Sequence, residues 1–262
     1  MTFDLTNMPV MVVGIASTGL AVARFLRDRG ACVTMSDVMT AEQLGNKVDE
    51  AVSLGVTLKL GRHDVGDFTS QSLVVISPGV PHTIEAIKKT MEAGIPVIGE
   101  IELAAQYISD PIVAVTGTNG KTTTTELVGQ MLARSGLAVF VGGNIGNPLI
   151  DYVNAGMDKD VIVAEISSFQ LDTTSTFKPK VSLLLNVTPD HLDRYRDFDE
   201  YTASKGKIFQ NQDQHDYAIL NKADRATEVL APKIAATKLY FNEGRNTENG
   251  AWMEEKDINC HL

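Results

Sequence analysis

The sequence predicts an α/β protein of two domains, each built on a parallel β-sheet. Three observations carry that expectation. Short apolar runs rich in Val and Ile alternate with helical patterns almost throughout the chain, which is the rhythm of strand–helix–strand units. Twice an apolar run passes directly into a glycine-rich turn and then a helical pattern, an arrangement that places a ligand at the carboxyl end of a strand. The length of 262 residues is long for one domain and favours two.

The first strand is expected at residues 10–13, followed by the turn Gly14-Ile15-Ala16-Ser17-Thr18-Gly19 and an amphipathic helix over 20–29. A second strand covers 31–35 and leads to Asp37, and a third at 73–76 is ended by Ser77-Pro78-Gly79. Residues 84–93 read as a helix stopped by Gly94, and 96–98 as a short strand. Ser109-Asp110-Pro111 reads as a linker, so the domains are expected at residues 1–109 and 110–262. The second opens with a strand at 112–115 and a glycine-rich turn over 116–122. A helix to residue 134 follows, with Leu127, Val128, Met131 and Leu132 at helical spacing and Gly136 as its stop. Further strands are expected at 138–141, 161–164, 181–185 and 217–220. From about Asn242 the chain is polar and weakly patterned, and no closing element is expected there.

Composition narrows the function. Hydrophobic residues make up 44% and charged residues 21%, enough for a core and unlike a disordered or fibrous chain. A formal net charge of −10 disfavours nucleic acid or an anionic membrane as the main partner. Any field that attracts phosphate must then be local, in loops and helix N-termini. Cys32 and Cys260 are far apart and form no CxxC pair, which argues against a zinc site or a disulfide framework and for a reducing compartment. No signal-peptide pattern opens the chain, and no apolar run approaches the ~20 residues that span a bilayer. The expected state is a soluble cytoplasmic monomer.

The turn Thr116-Gly117-Thr118-Asn119-Gly120-Lys121-Thr122 carries the clearest chemistry. A strand, a glycine turn and a helix in succession gather backbone N–H groups around an anion at the positive end of the helix. Lys121 can reach terminal phosphates and the Thr122 hydroxyl suits Mg²⁺. The commoner G-x-x-x-x-G-K-[ST] pattern would place glycine at Val115, so the match is to the shorter G-x-x-G-K-T. The turn predicts ATP binding and a P-loop-type ATPase unit. The turn from Gly14 to Gly19 resembles a dinucleotide fingerprint with Ala16 at its middle glycine, and Asp37 stands where an acid binds a ribose hydroxyl. A nicotinamide oxidoreductase and a ligand-free turn both remain open for this Rossmann-like unit. Glu165 ends a strand beside the phosphate turn, either as an Mg²⁺ ligand or as a solvated strand-end acid. Residues 186–194 bring Asp190, His191, Asp193 and Arg194 into one loop, where the acids equally serve as helix caps. Lys205 and Lys207 read from the residues alone as ordinary solvated lysines.

Together these motifs resemble the Mur ligase family, ATP-dependent enzymes that build the peptide of the bacterial cell wall. The resemblance rests on residues 116–123, on Ser77-Pro78-Gly79-Val80, on Gly142-Gly143-Asn144-Ile145-Gly146, on Glu165-Ile166-Ser167-Ser168-Phe169-Gln170-Leu171, and on the run 186–195. Val115 in place of glycine is in keeping with that family's loop. The Ser167 to Leu171 stretch points to the branch that adds D-glutamate, because sister ligases differ there. The likeness extends from about Val10 to about Tyr240.

The resemblance implies a ligase that joins D-glutamate to UDP-N-acetylmuramoyl-L-alanine through an acyl phosphate, with ATP and Mg²⁺ as cofactors. Gly117, Thr118, Asn119, Gly120, Lys121, Thr122 and Thr123 would bind the nucleotide, with Lys121 on its β- and γ-phosphates. Thr122 and Glu165 would hold one Mg²⁺. His191 and Lys205 would serve a second metal, Lys205 as a carbamate formed with CO₂. Asn144, Ser167 and Gln170 would face the muramoyl-alanine end of the substrate. The first domain would bind UDP, with Ser17 and Thr18 near the pyrophosphate, Asp37 near the uracil and Gly79 in the same substrate site. The family also has a third, C-terminal domain to which nothing here corresponds. The chain is then either a piece of a longer protein or a natural truncation.

Overall fold

The computed structural model describes residues 3–190, 194–242, 250–254 and 257–261. The chain divides into two compact units, one of Met1–Ile108 with Pro148–Met157 and one of Ser109–Asn147 with Asp158–Leu262. The first unit contains β1 (Pro9–Val13), α1 (Ser17–Asp28), β2 (Cys32–Asp37), α2 (Ala41–Leu44), α3 (Asn46–Ser53) and β3 (Thr57–Leu60). It continues with α4 (Val65–Thr69), β4 (Leu73–Ile76), α5 (Glu85–Glu92), β5 (Val97–Gly99) and α6 (Glu100–Ala105). Its strands pair in parallel in the order β3-β2-β1-β4-β5. Chain order reverses beside β1, and in such sheets the crevice at the carboxyl ends of the strands is the ligand site. β1 and β4 read as unbroken apolar runs because helices cover both faces of the sheet. Met11, Val13, Phe68, Val74, Ile76, Ala86 and Ile87 form one core on that sheet.

The second unit opens with β6 (Ile112–Thr116), α7 (Lys121–Arg134) and β7 (Val139–Gly143). The chain then leaves it for α8 (Leu149–Asn154), a helix of the first unit. Leu149, Ile150 and Tyr152 of α8 are buried, and the helix packs on α1 and α6. Residues 148–157 thus belong to the first unit although they fall inside the range expected for the second. The second unit resumes with β8 (Val161–Glu165), α9 (Ser168–Leu171), β9 (Val181–Leu184), α10 (Phe198–Gly206), β10 (Tyr217–Asn221), α11 (Arg225–Leu230) and β11 (Thr237–Phe241). Two more strands follow, β12 (Gly250–Glu254) and β13 (Asp257–His261).

This sheet runs β13-β12-β11-β10-β9-β6-β8-β7, parallel except for the β12–β13 pair. The antiparallel pair corrects the expectation that nothing ordered follows Asn242. β12 and β13 pair chiefly with each other, and β12 joins the sheet at Tyr240 and Phe241 of β11, a pairing that a polar, weakly patterned stretch does not announce. β6 lies between β8 and β9, so the turn after β6 emerges between the ends of those two strands. Among the described residues no helix is long and apolar enough to cross a membrane.

Candidate active site

The turn after β6 is shaped by two glycines. Gly117 has φ +152, and a Cβ there would come within 3.0 Å of the Leu185 Cβ. Gly120 is left-handed at φ 82 and starts the fourteen-residue helix α7 with no side-chain cap on its first N–H groups. Those N–H groups are the orphan donors that bind anions at helix N-termini. The Lys121 Nζ donates to the Thr118 carbonyl at 2.9 Å, so the cation is held at the turn itself.

The loop after β9 is stitched to this turn. The Thr118 N–H donates to the Asn186 carbonyl at 2.9 Å. Asn119 N–H donates to Asn186 Oδ1 at 2.9 Å, while Asn186 Nδ2 donates back to the Asn119 carbonyl at 3.0 Å. The Thr188 N–H donates to Thr118 Oγ1 at 3.1 Å. Asp190 closes the described part of this loop, and His191 and Asp193 lie outside the described residues.

Glu165, at the end of β8, is only 2% exposed and so is not a solvated acid. Its Oε2 accepts from the Thr122 hydroxyl at 2.8 Å and its Oε1 from Asn144 Nδ2 at 2.8 Å. Gly143 makes that approach possible, because a Cβ there would meet the Glu165 carbonyl. Carboxylate and hydroxyl oxygens next to a phosphate turn are the donor set Mg²⁺ takes, with phosphate and water filling the remaining positions. No group of three or more His, Cys, Asp or Glu that could hold a metal occurs among the described residues.

Lys205 corrects its reading from the residues alone. It is 2% exposed, its Nζ donates to the Gly117 carbonyl at 2.8 Å, and it sits 4.6 Å from the Tyr201 ring centre. Burial, reinforced by the Lys121 charge and opposed by Asp190, pushes its pKa down to about 7. Lys207, two residues on, pairs with Asp172 at 2.7 Å.

Tyr201, Asn186 and Thr188 were not singled out in the sequence. The Tyr201 and Thr118 hydroxyls lie 3.2 Å apart, tying α10 to the phosphate turn. The available signal was spacing: Tyr201 precedes Lys205 by one helical turn and so shares its face. Ser167 and Gln170 form a capping box on α9, with Ser167 N–H and hydroxyl donating to Gln170 Oε1 at 2.9 and 3.0 Å. The S-x-x-Q pattern is its sequence signature.

In the first unit, Gly14 has φ +98 and a Cβ on Gly19 would overlap the Gly14 carbonyl. Ser17 and Thr18 begin α1, whose N-cap Ala16 offers no side-chain hydrogen bond. The Asp37 carboxylate accepts from the Ile15 N–H at 2.8 Å and the Met39 N–H at 3.0 Å, holding the turn to the end of β2. The Ser77 hydroxyl is buried beside Gly14 with no hydrogen-bond partner among the described residues, and Gly79 is exposed two residues on.

Comparison with known proteins matches residues 115–262 to the Mur ligase middle domain and residues 8–99 to the Mur ligase MurD-like N-terminal domain. Among relatives, a UDP-N-acetylmuramoylalanine--D-glutamate ligase from Desulfosudis oleivorans is 52% identical over 95% of this chain and 54% of its own length. One of the same name from Desulfatibacillum aliphaticivorans is 49% identical over 95% of this chain and 56% of its own length. The chain spans about half the length of these curated relatives. In fold, a Neisseria UDP-N-acetylmuramate:L-alanyl-gamma-D-glutamyl-meso-diaminopimelate ligase matches with TM-score 0.62 at 17% identity, over 97% of this chain and 84% of that one. A MurF ligase from Thermotoga maritima in complex with ADP matches with TM-score 0.52 at 17% identity, over 98% of this chain and 56% of that one.

Proposed function

The chain belongs to the Mur ligase family, and on that premise we propose that it acts as an ATP-dependent ligase joining D-glutamate to UDP-N-acetylmuramoyl-L-alanine in peptidoglycan synthesis. The observation that carries the reading is the convergence on one phosphate turn of Lys121, the Thr122–Glu165 pair and a buried Lys205. The relatives' shared name supports the choice of substrates.

ATP would supply its γ-phosphoryl group to the alanyl carboxylate, and the D-glutamate amine would displace phosphate from the resulting acyl phosphate. Mg²⁺ would add positive charge there, one ion held by Thr122 and Glu165 and a second by His191 and Lys205. The protein's own part is positioning and electrostatics. With the Thr118 and Asn119 N–H groups held by Asn186, Gly117 and Gly120 shape the turn so that the N–H groups at the start of α7 close on phosphate oxygens. Lys121 exchanges the Thr118 carbonyl for phosphate and offsets charge that builds during transfer. Lys205, with its pKa at about 7, carries much of its amine unprotonated near neutrality, the form that takes up CO₂ as a carbamate. Asn144 orients Glu165 and stands on the substrate side with Ser167 and Gln170. In the first unit, Ser17, Thr18 and Gly79 would contact the UDP end, with Asp37 shaping the turn. The activity is assigned to the cytoplasm, where Cys32 stays reduced.

The test is phosphate release from ATP with the UDP-substrate and D-glutamate supplied together and separately. Release that needs both supports the reading. Release with a different amino acid moves the chain to a sister ligase, and tight NAD binding without UDP affinity returns it to the oxidoreductase class. Mg·ATP binding with no release under any condition leaves a nucleotide-binding module.

A further inference from the structure

We propose that Asp172, acting through Tyr195 and Lys207, is a positioning residue that sets α10 so that Lys205 stands on the Gly117 carbonyl. The inference rests on the reading of that turn as the nucleotide site. It begins from the composition of the buried side of α10, which is Tyr201, Thr202, Ser204 and Lys205. Apolar burial is non-directional and cannot choose which turn of such a helix faces the loop. Burying a lysine also works against docking. The orientation must come from directional bonds.

Asp172 supplies them from one carboxylate. It caps the C-terminal end of α9, and α9 follows directly on the strand that carries Glu165. Its Oδ2 accepts from the Tyr195 hydroxyl at 2.9 Å and its Oδ1 from Lys207 Nζ at 2.7 Å. With the Tyr195 proton committed to Asp172, the single Ser204 proton goes either to Tyr195 Oη at 3.2 Å or to the Ser168 carbonyl at 3.1 Å, and both acceptors tie Ser204 to the α9 side. The Tyr195 ring lies parallel to Phe169 and is tilted against Tyr201, with centroids 5.9 and 5.2 Å away. Burial holds the phenol protonated, so it remains a donor. Ser204 and Lys207 flank Lys205 in sequence, and both are fastened to the α9 segment. Asp172 therefore fixes α10 on either side of Lys205 and keeps that lysine in register with Glu165.

The experiment titrates this chain with Mg·ATP by calorimetry and records its melting temperature for each variant. Asp172→Asn and Tyr195→Phe, the latter keeping the ring stack, are expected to bind Mg·ATP about tenfold more weakly. Lys207→Met is expected to lose about threefold, its pair being partly exposed. Lys207→Arg keeps the ion pair and is expected to restore wild-type affinity. Melting temperatures that fall while affinity stays within about twofold of wild type mean a merely structural role and overturn the proposal, as does failure of Lys207→Arg to rescue. A wild-type chain that binds no Mg·ATP overturns the nucleotide reading and this inference with it. Wild-type binding with unaffected variants overturns the inference alone.

Discussion

Two residues at the phosphate turn carry sharp expectations. Gly117 combines a φ that side chains rarely adopt with a Cβ path blocked by Leu185. Gly117→Ala is therefore expected to weaken Mg·ATP binding by at least about tenfold, since backbone strain there costs on the order of 1–3 kcal/mol; unchanged affinity by calorimetry would show that the turn opens freely. Lys205→Ala is expected to lose most ligation, about a hundredfold or more in kcat, with partial recovery when a small carboxylate such as formate replaces the carbamate. Full activity without rescue removes Lys205 from the site. A companion effect concerns stability. The Lys205 pKa falls from 10.5 to about 7 on folding, so between those values the unfolded chain holds more protons and stability from this group rises with pH. In CO₂-free buffer Lys205→Met should thus raise the melting temperature most below pH 7 and least near pH 10. Much of this site was legible, because a glycine turn between a strand and a helix is a local pattern. The burial of Lys205 was not legible, since nothing within a few residues of a lysine says that Gly117, 88 positions away, will cover it.

At the level of elements, α8 depends on one acid. Glu100 Oε1 accepts from the Ile150 N–H at 2.7 Å at the start of that helix, and Glu100 is 2% exposed. Burial raises its pKa from 4.5 to about 7, the Ile150 bond partly opposing. Because the folded value is the higher one, the stability this group contributes is fully present below pH 4.5 and is lost as pH rises through about 7. Over that window the loss is on the order of 3 kcal/mol. Glu100→Gln keeps an acceptor for Ile150 without a titrating proton, so melting curves at pH 5 and pH 8 should differ less than in the wild type. An unchanged difference assigns the pH dependence elsewhere. The strands β1, β4, β6 and β8 were readable because burial on both faces makes them continuous apolar runs. The short helix α8, with few turns and partners far along the chain, left no period to read. β12 and β13 were missed because they pair mainly with each other in a polar stretch with weak apolar alternation.

For the whole molecule, the separation into two compact units predicts that ligands act on different amides. Hydrogen exchange read by mass spectrometry should slow at residues 14–20 with UDP and at residues 117–125 with Mg·ATP, by up to about a hundredfold at ligand a hundred times its Kd. Protection of the second stretch by UDP, with none at the first, would remove UDP from the first unit. A more general consequence follows from the route of the chain through α8. The first unit is discontinuous in the gene, so no single scission releases both folds whole. Cleavage after residue 108 strips the first of the helix packed on α1 and α6 and leaves the Glu100 carboxylate without its Ile150 donor. The second would carry α8 as an orphaned excursion between Asn147 and Asp158. Any recombination, permutation or truncation that treats the two units as interchangeable modules must therefore cut at three places, so that residues 148–157 travel with the first unit.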